Sequence, residues 1–214
     1  MFPSNLVRLG GLAAITAGAL LLILDAWALV LELLGAYPEN FSEEALSTTY
    51  TVQSAMWLIG ALLLLVALVG LYARQSEAAG ALGLVGFLVA LIGTGLLVGT
   101  FWTNAFIPPA LAVEAPAVLD GEPAGSLAFG FIFSTTVFGL SWALFGVAMF
   151  RARVYPRVAT ILLMFGALLV ILPLPATGFV LEAALIWLGV LSLKAEGRAP
   201  ATGQVEAEAQ PRVQ

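Results

Sequence analysis

Long apolar stretches alternate with shorter polar segments along this chain, a pattern that predicts membrane-spanning helices. The predicted spans are residues 9–34, 52–73, 78–103, 126–150, 158–172 and 176–193. As a helix, the first of them would be about 39 Å long, enough to cross a hydrocarbon core of about 30 Å with some tilt. It is also longer than the apolar region of a cleaved signal peptide, which has roughly 7 to 15 residues, so we expect it to be retained.

The last apolar stretch, residues 158–193, is interrupted by the segment Pro173-Leu174-Pro175-Ala176-Thr177-Gly178. Uninterrupted, it would be too long for one span. One interpretation is two short spans joined by a tight turn, and the other is a re-entrant hairpin that never reaches the far surface. Residues 195–214 are polar and predict a disordered tail, which leaves residues 1–194 as the transmembrane domain.

The basic residues orient this predicted topology. The two long loops on one side, residues 36–51 and 104–125, carry acidic residues and no Lys or Arg. All eight basic residues fall on the opposite side: Arg8, Arg74, Arg151, Arg153, Arg157, Lys194, Arg198 and Arg212. Such an asymmetry places the basic side in the cytoplasm. We therefore expect both termini to be cytoplasmic.

A short repeated pattern of apolar residues around a glycine, which we call the sequence echo, precedes a basic residue at the end of three predicted spans. The segments are Leu68-Val69-Gly70-Leu71, Leu144-Phe145-Gly146-Val147 and Trp187-Leu188-Gly189-Val190. They favour three helical hairpins related by a parallel repeat, as in some transporters. The alternative is chance, because Leu and Gly are common throughout the chain. The predicted fold is an all-α integral membrane six-helix bundle, with or without this repeat.

Composition excludes several classes of protein. The chain is 61% hydrophobic and only 10% charged, whereas about a quarter of the residues in soluble domains are charged. Its net charge of -5 leaves no basic surface for nucleic acid. The absence of Cys and His removes thiolate metal sites and imidazole acid/base chemistry. We expect no metal and no cofactor.

An enzymatic function is not expected either. The segment Gly139-Leu140-Ser141-Trp142-Ala143 lacks the second glycine of a nucleophile elbow, and the chain has no histidine to activate a serine. A serine and lysine arrangement fails as well, because the one lysine, Lys194, follows the last span. The sequence therefore predicts a protein that is not an enzyme.

Acidic residues inside the spans are the candidate functional residues. Asp25 and Glu182 lie at similar depth in the first and last spans, where an ionisable side chain costs a few kcal/mol and is a functional candidate by default. No basic residue lies within the spans to pair with them. Thr103, Asn104 and Thr135 lie at a compatible depth, and we expect them to complete an outward-facing polar cluster. The alternative is that Asp25 is a neutral packing residue bonded to a hydroxyl group.

Small residues indicate how the helices pack. Gly95 and Gly99 form a GxxxG pair, which allows two helix backbones to approach closely. Because the chain contains 22 glycines, we expect this pair to serve packing within the chain rather than a dedicated dimer face.

Two functional hypotheses follow. The first is a non-catalytic membrane subunit, which uses its helix faces to bind a membrane-protein partner or a second copy within the lipid bilayer. The second is a small-solute or ion permease, in which Asp25 and Glu182 bind protons or cations and the proline-interrupted hairpin acts as a gate.

The segment Leu144 to Arg157, together with Gly166-Ala167-Leu168-Leu169 and Trp187-Leu188-Gly189, resembles the C-terminal half of small uncharacterised bacterial polytopic membrane proteins. The resemblance covers about a quarter of the chain. It implies a multi-pass protein of the bacterial cytoplasmic membrane, and it carries over no functional residues.

Overall fold

A computed structural model describes residues 4–122, 125–172, 174 and 176–196. In this part of the chain the secondary structure is helical and there is no β-strand, so the all-α prediction is confirmed. The helices are α1 (Ser4–Leu33), α2 (Phe41–Ala45), α3 (Thr48–Glu114), α4 (Pro116–Leu119), α5 (Gly125–Ala152), α6 (Arg157–Leu169) and α7 (Phe179–Glu196). Residues 197–214 of the predicted tail lie outside the described residues.

Three of these helices are long and apolar enough to cross a membrane: α1, α3 and α5. The chain is therefore a membrane protein. The helices α6 and α7 are shorter, with 13 and 18 residues. At the standard rise they are about 20 Å and 27 Å long, less than a typical hydrocarbon core.

The predicted spans 52–73 and 78–103 form one helical run of 67 residues that is broken at Gly80. Gly80 has a φ of 54° and a ψ of -146°, a conformation that is open to glycine because it has no Cβ. The two halves, which we call α3a (48–79) and α3b (81–114), lie side by side. Tyr72 stacks on Phe87 with ring centroids 4.4 Å apart, and Trp57 stacks on Phe101 at 5.9 Å. The hairpin therefore turns at a single residue, and not over a four-residue link.

The helix α3b continues past the predicted end at residue 103 and includes Pro108 and Pro109. The prediction that the loop begins at residue 104 is therefore wrong, because the chain stays helical to Glu114. Proline has no N–H to bond the carbonyl four residues earlier. For Pro108 that carbonyl belongs to Asn104, and it accepts a hydrogen bond from the hydroxyl group of Tyr50 at 2.9 Å instead. A side chain of α3a thus supplies the donor that the proline lacks.

Each long helical segment packs on two neighbours, in the order α1, α3a, α3b, α5, α6, α7 and back to α1. Large buried side chains fill the space that they enclose: Leu64, Leu68, Leu71, Phe138, Trp142, Phe145, Met149, Leu163, Leu185 and Leu188. The buried indole N–H of Trp142 donates to the hydroxyl of Thr94 at 2.9 Å, and this hydroxyl donates to the carbonyl of Ala90 at 2.7 Å. The middle of the molecule is therefore packed, and its polar atoms are paired.

The two ends of the bundle differ in charge. At one end, which we call the basic end, lie the described basic residues: Arg8, Arg74, Arg151, Arg153, Arg157 and Lys194. The acidic end holds α2, α4 and the segments beside them. There the backbone N–H and the hydroxyl of Ser42 donate to the carboxylate of Asp120 at 2.8 Å and 2.7 Å, which joins the two acidic loops.

The glycines of the sequence echo do not pack on corresponding neighbours. Gly70 contacts Gly10 of α1, Gly189 contacts the backbone of Gly11 of α1, and Gly146 contacts Met164 of α6. A strict threefold repeat would place them in matching contacts. The parallel repeat of hairpins stays a prediction.

The contact between α1 and α3a at Gly10 and Gly70 generates a first prediction. A Cβ built on Gly70 would overlap the Cα of Gly10, so we expect Gly70→Ala to force the two backbones apart and to lower the free energy of unfolding by about 1–3 kcal/mol. The measurement is the thermal unfolding temperature of the detergent-solubilised protein.

The matched control is Gly95→Ala, because no atom lies within 4 Å of a Cβ built there. This variant should keep the wild-type unfolding temperature or raise it, since alanine is better than glycine in a helix by up to about 1 kcal/mol. Equal effects of the two substitutions would contradict the proposed role of the Gly10 and Gly70 contact.

Candidate functional site

The structure brings Asp25 and Glu182 together, in agreement with their similar predicted depth in the first and last spans. Gly18 of α1 contacts the backbone carbonyl of Glu182, so the backbones of α1 and α7 approach closely just below the two acids. The carboxyl groups of Asp25 and Glu182 hydrogen-bond to each other, and the indole of Trp57 donates to Asp25. Glu182 is 4% exposed, and its Oε2 has no hydrogen-bond partner among the described residues. We call Asp25 and Glu182 the carboxyl pair.

Gly178 packs directly against the carboxyl pair. A Cβ built on this residue would lie 2.5 Å from Oδ2 of Asp25 and 2.7 Å from Oε1 of Glu182. Its carbonyl accepts a backbone hydrogen bond from the N–H of Glu182 at 3.0 Å, which leads into the first turn of α7. Only a residue without a side chain leaves room for both carboxyl groups at this position.

No basic residue balances the carboxyl pair in the part of the chain that the structure describes. The basic residues lie at the opposite end, and Arg8, on the same helix as Asp25, is about 25 Å away along the helix axis. The N-terminal turn of α7 offers Glu182 the positive end of the helix dipole, which is a partial compensation. Two carboxylates in contact repel each other, so the pair must share a proton or bind a cation.

The carboxyl pair lies below the surface of the acidic end. Asp25 is eight residues before the last residue of α1, a distance of about 12 Å along the helix. Gly178, which directly precedes α7, lies at this level because it packs against Asp25. The structure ends α6 at Leu169 and begins α7 at Phe179, whereas the predicted spans end at residue 172 and begin at residue 176. The helices α6 and α7 are thus shorter than the long helices beside them.

A column of polar groups leads from the acidic end toward the pair. The hydroxyl of Tyr37 hydrogen-bonds to Gln53, which lies one helical turn before Trp57 on α3a. Burial raises the pKa of Tyr37 above its ordinary value, so the hydroxyl is protonated at neutral pH. Gln53 is 3% exposed, and its Nε2 has no partner among the described side chains. Tyr37, Gln53 and Trp57 are therefore polar side chains at successive levels between the acidic end and Asp25.

The remaining predicted members of the cluster lie on other helices. Thr103 on α3b donates its hydroxyl to the carbonyl of Gly99 at 2.9 Å, and Thr135 on α5 donates to that of Phe131 at 2.9 Å. Thr103 and Asn104 line a cavity of about 310 Å³ between α3b and α5 that does not include the carboxyl pair. The similar predicted depth of Asp25 and Glu182 in the membrane therefore agrees with their contact. The same argument does not place Thr103, Asn104 and Thr135 beside them.

An open groove of about 380 Å³ adjoins that cavity and runs between α3b and α5. It is lined by Gly95, Gly99 and Gly130, and a Cβ built on any of them would meet no atom within 4 Å. The expectation that the GxxxG pair serves packing within the chain is therefore wrong for Gly95 and Gly99. We call this feature the glycine groove.

Sequence reasoning missed Trp57, Gln53 and Gly178. Gln53 and Trp57 are four residues apart in the outer turns of a predicted span, a spacing that places them on one helix face. Gly178 closes the proline-containing segment that separates the last two helices. Neither pattern says which neighbouring helix these residues would contact.

The packing of Gly178 generates a second prediction. We expect Gly178→Ala to displace the two carboxyl groups and to lower the free energy of unfolding by about 1–3 kcal/mol. In an Asp25→Ala background, where one of the crowding oxygens is absent, the same substitution should cost less. A double-mutant cycle on thermal unfolding measures this coupling. Additive effects would show that Gly178 and Asp25 do not interact.

Comparison with known proteins finds no family model, no curated protein and no solved structure that matches this chain.

Proposed function

We propose that the chain is a multi-pass protein of the bacterial cytoplasmic membrane, a six-span bundle with its basic end and both termini in the cytoplasm. The clustering of the described basic residues at one end supports this orientation, because positive residues are retained on the cytoplasmic side. The spans are α1, α3a, α3b, α5 and the two shorter helices α6 and α7. The carboxyl pair then faces the outer side of the membrane.

Within this topology we propose a proton-linked permease for a small solute or an ion. The observation that carries the proposal is the contact of buried Glu182 with half-buried Asp25, without a basic counter-charge among the described residues. A structural role does not need ionisable groups there, because apolar side chains of similar volume stabilise a buried site as well or better. Two facing carboxyl groups in a membrane span are suited to exchange a proton or a cation. The polar side chains of Tyr37, Gln53 and Trp57, which lie between the pair and the acidic end, support access from that end.

The pair also offers a means of coupling. With one proton bound, one carboxyl group donates to the other and the pair carries a single negative charge. When the proton leaves, the carboxylate of Asp25 on α1 faces that of Glu182 in the first turn of α7, next to Gly178. Their repulsion acts between α1 and the start of α7, so loss of the proton favours a displacement of α7 relative to α1.

A third prediction concerns the pH dependence of stability. If the folded pair retains a proton that the unfolded chain releases, the folded state binds more protons, and stability falls as pH rises by up to about 1.4 kcal/mol per pH unit. We expect Asp25→Asn or Glu182→Gln to remove this slope in thermal unfolding measured from pH 4.5 to 8.5. In liposomes the same variants should abolish proton flux, followed with a pH-sensitive dye.

Glu44→Gln is the matched control. Burial in α2 also raises the pKa of Glu44, so this residue contributes stability that is present at low pH and is lost as pH rises through its folded pKa. Glu44→Gln should reduce the slope slightly and leave proton flux intact. A wild-type pH profile that neither Asp25→Asn nor Glu182→Gln changes would rule out the shared proton.

The second candidate function is the non-catalytic membrane subunit, and the glycine groove favours it. Glycines that line an open surface at membrane depth allow another helix to approach closely. We take a second copy of this chain as the occupant to test, since close approach at exposed glycines is the geometry of helix dimers in membranes.

A fourth prediction separates the two functions. If the groove holds a second copy, Gly99→Leu should fill it and convert a dimer into a monomer, as measured by native mass spectrometry from detergent or nanodiscs. Leu140→Ala, on an exposed position of α5 that does not line the groove, is the control and should not change the oligomeric state. A wild-type protein that is monomeric and supports proton flux would discard the subunit hypothesis.

A further inference from the structure

Side chains from three separate elements close the basic end of the bundle. Tyr155 lies in the link between α5 and α6, Arg74 lies near the end of α3a, and Ser192 lies near the end of α7. The guanidinium carbon of Arg74 lies 4.4 Å from the centre of the Tyr155 ring. The hydroxyl groups of Tyr155 and Ser192 are 3.0 Å apart, and Nη1 of Arg74 donates to Oγ of Ser192 at 3.4 Å. The contacts thus span the bundle from one side to the other.

Tyr155 is the central member of this closure. Although it lies in a connecting segment, it is 3% exposed and packs within the main hydrophobic core. Burial raises the pKa of its hydroxyl, although Ser192 and the charge of Arg74 act in the opposite direction. The phenol is therefore neutral at physiological pH. Arg74 is held by the face of the ring and by hydroxyl groups, and no acidic residue in the described part of the chain forms an ion pair with it. The closure can therefore separate without parting opposite charges among these residues.

The buried, unpaired amide of Gln75 makes this closed arrangement less stable. Gln75 continues the core-facing row of Leu64, Leu68 and Leu71 on α3a, and it is fully buried, at 0% exposure. Both its amide oxygen and its amide nitrogen lack hydrogen-bond partners among the described residues. An unpaired buried amide is unfavourable, and water would satisfy it at once if the basic end opened. The same cluster therefore contains contacts that favour closure and one group that favours opening.

The link that carries Tyr155 is also strained. Arg153 adopts a φ of 56°, a left-handed conformation that is unfavourable for a residue with a side chain. Such residues persist where the surrounding structure holds them in place, and they are frequent in segments that switch between two arrangements. Pro156 follows Tyr155 and begins the next helix, so a change at Arg153 would move Tyr155 without unwinding α6.

We propose that Tyr155 is the gate at the cytoplasmic end of the bundle, held closed by Arg74 and Ser192 and opened when the link withdraws the ring and water reaches Gln75. The proposal rests on the proposed permease function, because it supplies the second of the two openings that a carrier needs. The carboxyl pair lies at the outer end, the packed middle separates the two, and Tyr155 controls access from the inside.

The test uses the absence of cysteine from the chain, so a single introduced thiol reports its own exposure. Leu71→Cys places the thiol on the buried row one turn deeper than Gln75. In nanodiscs, a water-soluble maleimide should label this cysteine slowly. Adding Tyr155→Ala should increase the labelling rate at least tenfold, and Gln75→Leu should decrease it by stabilising the closed arrangement.

Two controls accompany the measurement. Glu77→Cys, on an exposed position nearby, should label rapidly in every background. Phe150→Ala removes another contact between an aromatic ring and an arginine, that of Phe150 with Arg157 at 5.8 Å, and should leave the labelling of Leu71→Cys unchanged. If Tyr155→Ala does not fold, Ser192→Ala provides the same test, with a smaller expected increase.

Rapid labelling of Leu71→Cys with Tyr155 in place, or an unchanged rate after Tyr155→Ala or Ser192→Ala, would overturn the gate. Neither result depends on transport. If labelling behaves as expected but Asp25→Asn and Glu182→Gln leave proton flux unchanged, the carboxyl pair fails as the proton site while the closure by Tyr155 stands. The two proposals can therefore fail separately.

Discussion

The need to pair every polar group within a hydrocarbon environment governs this structure. In the middle of the bundle the requirement is met, because Trp142 donates to Thr94 and Thr94 donates to the carbonyl of Ala90. It is also met at Pro108, where Tyr50 replaces the missing backbone donor. The buried side-chain atoms that lack partners among the described residues belong to Gln53, Gln75 and Glu182. They lie toward the two ends and not in the middle.

Close backbone contacts at glycines fix the positions of these polar groups. Gly18 allows α1 to pack closely on α7 below the carboxyl pair, and Gly70 allows α3a to pack closely on α1. Gly178 has no side chain and so leaves space for the two carboxyl groups. In a membrane, where burial of apolar surface does not drive helices together, such close packing supplies much of the association energy. A small displacement of α7 would therefore reach the carboxyl pair directly. Glycine is thus as important to the site as the acids are.

The sequence allowed the helices, their order and the depth of Asp25 and Glu182 to be predicted, since apolar length and charge asymmetry are local properties. It did not show which neighbouring helix a residue faces, because this depends on the angular position of the residue around its own helix and on how the helices pack. For this reason Thr103 and Thr135 were expected beside the acids, whereas their hydroxyl groups bond their own helices. The helix through Pro108 depends on Tyr50, 58 positions earlier in the chain. Contacts of this kind follow from packing and leave no local pattern.

The shortness of α6 and α7 also has an electrical consequence. At about 20 Å and 27 Å, both helices are shorter than a hydrocarbon core of about 30 Å. In the proposed topology the layer of low dielectric constant is therefore thinner beside these two helices than beside α1, and the membrane potential falls over a shorter distance there. A charge that crosses the whole layer gains about 2.3 kcal/mol per 100 mV whatever the thickness of the layer. The short hairpin thus raises the electric field, which is the potential drop per unit length, at the part of the bundle that holds Glu182.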